Sequence, residues 1–196
     1  MSNLRPSQDR DPPAAQHRPP SVPWLPVGDD GGRVRIEEYA GPHGDLIHSF
    51  REAEDSESLL AGYLDLGRVW VARGDDGEVL GHLQAVAEDD ATWEVTNTAV
   101  APTARRRGIG RLLLERAVAE ARAAGARRVV LATAAADTGA LRYYQRCGFR
   151  MTHVVPDAFG PHTGYHEPIE IDGIPMRDQV WFERGTAEAA GVTDAG

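Results

Sequence analysis

Three consecutive arginines, Arg105, Arg106 and Arg107, stand directly before Gly108-Ile109-Gly110, and Arg111 follows at once. The stretch "VAPTARRRGIGRLLLERAVAEA" reads as the end of a strand, a turn through Pro102, and a helix that starts near Gly108. That order builds an anion site. The first amides of a helix have no internal acceptor, and the aligned peptide dipoles place roughly half a positive charge there. Gly108 and Gly110 let the backbone approach a pyrophosphate closely, while the arginines add charge-assisted hydrogen bonds from nearby. The pattern is not a P-loop, which needs a longer glycine-spaced run ending in Gly-Lys-Ser/Thr. It also lacks the third glycine and the downstream acidic residue of a dinucleotide fingerprint. Taken alone, three arginines at a helix start read more readily as solvated charges.

The remainder of the composition makes this cluster local. Thirty acidic side chains outweigh 21 basic ones for a formal net charge of −9, so neither nucleic acid nor an anionic membrane surface is an expected partner. All 21 basic residues are arginine, which removes lysine as a nucleophile or base. Cys147 is the single cysteine, so no intramolecular disulfide can form, and a cytoplasmic location is expected. Its place beside Gly148 at a helix end suits a small buried residue better than an acyl-enzyme nucleophile. No stretch resembles a signal peptide or approaches the ~18 apolar residues of a membrane span. His162 and His166 stand four apart, but "FGPHTGYHEP" is too rich in Gly and Pro for the helix that would pair them, so no metal is expected.

The elements that must position the arginine turn follow from periodicity. Seven of thirteen prolines fall in the opening segment, and residues 1–32 read as a disordered Pro-rich arm in which Trp24 and Leu25 could dock on the domain. Residues 33–184 read as one domain and 185–196 as a flexible tail. Val34 to Tyr39 opens with strand alternation, and apolar spacing within "GDLIHSFREAEDSESLLAGYLDLG" gives two short helices. "RVWVARGDDGEVLGHLQAVAE" is a hairpin with its turn at Gly74-Asp75-Asp76-Gly77, and Thr92 to Val100 is a further strand. Ile109, Leu112, Leu113, Ala117, Ala121 and Ala124 fall on one helical face ending at Gly125, before the strand "RRVVLAT". Asp137 then caps a helix that ends at Gly148, and two strands, "FRMTHVV" and "QVWFE", flank a long acidic loop. A run of antiparallel strands followed by a βαβ crossover implies an α/β fold, a mixed, mostly antiparallel sheet covered by helices.

Two motifs in this frame carry a resemblance. "AVAPTARRRGIGRLLL" resembles the coenzyme A-binding signature of the GNAT N-acetyltransferases, Gln/Arg-x-x-Gly-x-Gly/Ala between a strand and a helix, with Arg105, Gly108 and Gly110 in those places. "YYQRCGF" resembles the family's Tyr-x-x-x-Gly-Phe element, with Tyr144, Gly148 and Phe149 matched. The resemblance spans about Val34 to Glu183 and points to a bacterial small-molecule type. It implies a GNAT fold of about six to seven strands with a splayed central pair and about four helices.

The resemblance further implies acetyl-CoA as cosubstrate and an acetyl group passed to a primary amine by direct attack in a ternary complex. Carried over, Thr98, Ala99 and Val100 pair with the pantetheine arm, and the Thr98 amide donates to the thioester carbonyl as charge grows on its oxygen. Arg105, Arg106, Arg107, Gly108, Ile109, Gly110 and Arg111 form the diphosphate turn. Glu94 matches the glutamate that serves as base in part of the family, although the same position suits a salt-bridge partner; Asn97 is a second candidate for orienting water or substrate. Tyr144 is placed to protonate the leaving thiolate, or else simply covers the core. Many members carry an asparagine where this chain has Asp137, and an ionised carboxylate can accept but not donate. The loop after Val155, with Phe159, Tyr165, Asp157, Glu167, Glu170 and Asp172, suits a small cationic amine. Protein or peptide N-acetylation and a non-catalytic acetyl-CoA-binding module are the alternatives, and the resemblance is compatible with a homodimer.

Overall fold

The alternation in "RVWVAR" gives strand β3 (Arg68–Arg73) two buried faces: Val69 and Val71 belong to one apolar cluster, Trp70 and Ala72 to another. A strand buried on both sides must be covered by helices on both sides, and the computed structural model, which describes residues 23–28 and 32–187, has that form. The sheet consists of β1 (Leu25–Val27), β2 (Gly32–Glu38), β3, β4 (Val79–Ala87), β5 (Thr92–Val100), β6 (Arg128–Ala134), β7 (Arg150–Val155) and β10 (Gln179–Gly185). Its spatial order is β1-β2-β3-β4-β5-β6-β10-β7, and β5 with β6 is its one parallel pair. Helix α3 (Ile109–Ala123) is the crossover that parallel pairing requires. It covers the larger cluster with Ile109, Leu113, Leu114, Ala117, Val118 and Ala121. Helices α1 (Ile47–Phe50) and α2 (Glu57–Tyr63) cover the other face through Phe50 and Leu60.

α3 ends as expected at Gly125, whose φ of 87° lets the Ala126 amide reach back to the Ala121 carbonyl. Its buried face is rotated slightly from the expected one, with Leu114 and Val118 inside and Ala124 exposed. α4 (Thr138–Arg146) starts where Asp137 accepts from the Ala140 amide at 2.7 Å.

Three expectations are corrected. Leu25–Val27 is not part of a disordered arm but pairs with β2 as β1, because Val27 buries its side chain in the core and Trp24 lies under the guanidinium groups of Arg33 and Arg35. The chain is still anchored past residue 185: Thr186 is buried and bonds the Ala126 and Arg127 carbonyls. The acidic loop contains a 3-10 turn (Pro161–Thr163) and a small hairpin of β8 (Glu170–Ile171) and β9 (Ile174–Pro175). Residues 1–22 and 29–31 of the expected arm and 188–196 of the expected tail lie outside those described. Among the described residues, no helix is long and apolar enough to cross a membrane.

Candidate active site

The site begins with a failure of pairing. β5 and β6 run together only from Thr92 opposite Arg128 to Val95 opposite Leu131; beyond that β5 keeps β4 alone, and Ala132 to Ala134 keep β10 alone. A bulge coincides with the divergence, since Gln84 faces Asn97 and Ala85 faces Val95, leaving Thr96 as the extra residue. Bulges bend a strand and raise its twist, which carries the second half of β5 away from β6. The Ala101 amide bonds the Leu80 carbonyl on β4, so strand alternation turns Ala99 toward β4 and the N–H and C=O groups of Thr98 and Val100 toward the gap. Arg105 reaches one of these, donating from Nε to the Val100 carbonyl at 3.0 Å.

A groove of about 650 Å³ follows from this gap to the start of α3, lined by Thr98, Ala99, Val100, Arg105, Arg106, Gly108, Ile109, Gly110, Arg111, Tyr143, Tyr144 and others. Gly108 is the residue before the helix and has φ 86°, a conformation that side chains with a Cβ rarely adopt. No side chain caps the helix there, so its first amides open on the groove. Gly110 is required for a different reason: a Cβ would stand 2.6 Å from the Tyr143 hydroxyl oxygen. The four arginines do not act as one patch. Arg106 and Arg111 line the groove, Arg105 is braced between Val100 and Glu52 (Nη2 to Oε2, 3.1 Å), and Arg107 is not part of the wall. The Ile109 side chain is buried in the core, which leaves its backbone to the groove.

Opposite, α4 supplies Tyr144. Its ring packs against Phe149 and Phe182, and burial pushes its phenol up to about 12, so it is protonated throughout the neutral range. The Asp137 carboxylate borders the groove but is committed to capping α4. Cys147 is buried outside both cavities, its thiol pushed up by burial.

A second cavity, about 430 Å³, shares Glu52, Thr98, Asp137, Ala140 and Tyr144 with the groove, so the two meet at the Thr98 and Tyr144 end. Glu52, Glu54 and Asp55 line one side, Thr96 and Asn97 the floor, and Phe159, Tyr165, Ile171 and Met176 come from the segment between β7 and β10. Tyr165 binds Glu54 at 2.9 Å and stacks edge-on against Phe159. Asn97 belongs to a buried network: its Oδ1 meets His82 Nε2 at 2.9 Å, and its Nδ2 donates to the Tyr63 hydroxyl at 2.8 Å. Burial brings His82 down to about 4, so the ring is neutral.

Glu94 is where expectation and structure part. It sits in the paired half of β5, before the bulge, and the cavity wall begins one residue later at Val95. Burial first and Glu88 second raise its carboxyl, yet it lines neither cavity. The cavity's own carboxylates, on the link between α1 and α2, were passed over in the sequence. The signal was present as the acidic run Glu52-Ala53-Glu54-Asp55 after a helix, a pattern that in isolation reads as a solvated turn.

The model of the acetyltransferase (GNAT) family matches residues 36–149, which takes in the groove, the turn and α4. The chain belongs to the GNAT family. YvbK, an uncharacterised N-acetyltransferase of Bacillus subtilis, is 30% identical over 76% of this chain and 94% of its own length. A GNAT family acetyltransferase from Elizabethkingia anophelis with acetyl-CoA bound superposes with a TM-score of 0.72 at 28% identity, over 78% of this chain and 97% of the other. A Bacillus subtilis acetyltransferase in complex with CoA gives 0.70 at 29% identity, over 78% and 98%. This GNAT protein is an acetyl-CoA-dependent acetyltransferase.

Proposed function

We propose that this enzyme acetylates the primary amine of a small, cationic molecule by direct attack on acetyl-CoA. The observation that carries the reading is the meeting of two cavities at Thr98 and Tyr144, one edged by a helix start and arginines, the other by carboxylates and aromatic rings. A volume of about 430 Å³ roofed by the segment after β7 suits a small molecule, and its carboxylates suit a positive one.

Chemistry follows from the groups at the junction. The diphosphate rests on the amides at the start of α3 with Arg106 and Arg111 beside it, and the pantetheine arm takes the place of the missing β6 partner along β5. The neutral amine attacks the thioester carbon, and the Thr98 N–H donates a hydrogen bond to the oxygen on which charge grows; one such donor is worth about 3 kcal/mol in other enzymes. The adduct's nitrogen gives up its extra proton to solvent water, and the adduct collapses with cleavage of the C–S bond to the amide and the CoA thiolate. Tyr144 meets the departing sulfur as a proton-bearing donor. With its phenol near 12 against about 8.5 for a thiol, it serves more by hydrogen-bonding the thiolate than by complete transfer. Holding both reactants in joined cavities lowers the barrier further through proximity.

The test is a thiol-release assay with acetyl-CoA across diamines, aminoglycosides, amino acids and peptides, with acetylated products identified by mass. Turnover of small cationic amines is expected. Turnover of peptides alone would replace the small-molecule assignment, and binding of acetyl-CoA without turnover would leave a binding module.

A further inference from the structure

Of the three carboxylates that the link between α1 and α2 brings to the second cavity, Glu54 differs from its neighbours. Glu52 is ion-paired with Arg105, and Asp55 is exposed. Glu54 is half-buried and accepts three hydrogen bonds, all from neutral donors: the Ser56 amide at 2.8 Å, the Tyr165 hydroxyl at 2.9 Å and the Tyr63 hydroxyl at 3.4 Å. No basic side chain among the described residues pairs with it. Neutral donors orient a carboxylate without cancelling its charge, and a carboxylate has about four lone-pair sites, so one remains open.

The donors have a fixed sense. The Phe50 carbonyl can only accept, so the Asn97 atom 3.3 Å from it is the NH₂ and the other is the carbonyl oxygen. Oδ1 therefore takes a proton from His82 Nε2, which leaves His82 Nδ1 to accept from the Ser49 hydroxyl at 2.7 Å. Asn97 Nδ2 donates to Tyr63, and the Tyr63 proton is turned to Glu54. His82 is fully buried and Asn97 nearly so, so reversing any link would strand a polar group away from water.

We infer that Glu54 is the anchor for a protonated group of the acceptor, aimed by this one-way chain from Ser49 through His82, Asn97 and Tyr63. The inference rests on the amine-acetyltransferase reading and narrows its substrate. A carboxylate stabilises the ammonium it holds, and an ammonium has no lone pair with which to attack, so the anchored and the attacking nitrogens are different atoms. The acceptor is then a diamine or a primary amine bearing a second cationic group. Tyr165 lies on the segment that roofs the cavity, so that segment completes the anchor.

Two probes of similar length test this, 1,4-diaminobutane and butylamine, assayed by thiol release with the wild type, Glu54→Gln and Tyr165→Phe. The wild type is expected to prefer the diamine at least about tenfold in kcat/KM, the scale of one hydrogen-bonded charge pair. Glu54→Gln should abolish the preference by raising the diamine KM about tenfold or more, with kcat and the KM for acetyl-CoA within about threefold. Tyr165→Phe should raise the diamine KM by a smaller factor and spare kcat. Acetyl-CoA affinity measured by calorimetry reports whether each variant is folded, and if Glu54→Gln is not, the Tyr165→Phe result decides. A wild type that treats both probes alike, a folded Glu54→Gln that keeps the preference, or a Tyr165→Phe with an unchanged diamine KM overturns the anchor while leaving amine acetylation standing. Acetyl-CoA binding with no turnover of any amine overturns both.

Discussion

His82 makes stability depend on pH in a calculable way. Its ring is fully buried between Ser49 and Asn97 and stays neutral until about pH 4, chiefly because burial disfavours the imidazolium; the Asn97 contact opposes the shift and His43 adds slightly to it. In the unfolded chain the same ring titrates near 6.5. Between these values the unfolded state binds the extra proton, so stability rises with pH through the window and is lost as pH falls from 6.5 toward 4. The loss from this one side chain is negligible at pH 7, about 2 kcal/mol at pH 5 and about 3 kcal/mol at pH 4. His82→Gln keeps an acceptor and a donor for Ser49 and Asn97 but cannot be protonated. Urea unfolding of both proteins at pH 7, 6, 5 and 4.5 isolates the effect, because carboxylates common to the two cancel in the difference. The variant should be the less stable at pH 7, by about 1 kcal/mol for lost packing, and should match or exceed the wild type by pH 5. A constant gap between the two proteins across the series would refute the buried neutral ring.

Tyr144→Phe removes the donor proposed to face the sulfur, and kcat should fall about tenfold to a hundredfold with the KM for acetyl-CoA nearly unchanged in steady-state assays. Gly110→Ala forces the Tyr143 ring to move from a 2.6 Å clash, so the KM for acetyl-CoA should rise several-fold while the amine KM holds. Asp137→Ala should cost about 1 kcal/mol in denaturant midpoint through loss of the cap on α4, whereas Asp137→Asn should recover most of it. Arg105→Ala releases both Val100 and Glu52, and weaker acetyl-CoA binding by calorimetry is the expected result.

Strand and helix positions were legible because burial leaves a period: β3 alternates between two cores and α3 repeats along one stripe. Gly108 and Gly110 were legible from their place between the arginines and the helix, and the structure gives each its own reason, a positive φ at Gly108 and the close Tyr143 hydroxyl at Gly110. Strand β1 was not, since Leu25-Pro26-Val27 contains a proline and is held by pairing with β2 and burial of Val27 rather than by any period of its own. The splay of β5 from β6 arises from a bulge at Thr96, which no residue type announces. Glu54 was invisible for a related reason. Its three donors come from Ser56, Tyr63 and Tyr165, and the last is 111 residues away, brought there only by folding of the loop after β7. Glu94, by contrast, rests on a match to the family's glutamate, and a place along a strand does not fix which residues reach a cavity.

A crystal structure of the complex with acetyl-CoA tests the central claim most directly. The account predicts diphosphate oxygens on the amides at the start of α3, the thioester oxygen about 3 Å from the Thr98 nitrogen, and the sulfur facing the Tyr144 hydroxyl. A cosubstrate whose pantetheine arm avoided the gap between β5 and β6, or whose thioester lay away from Thr98, would contradict it.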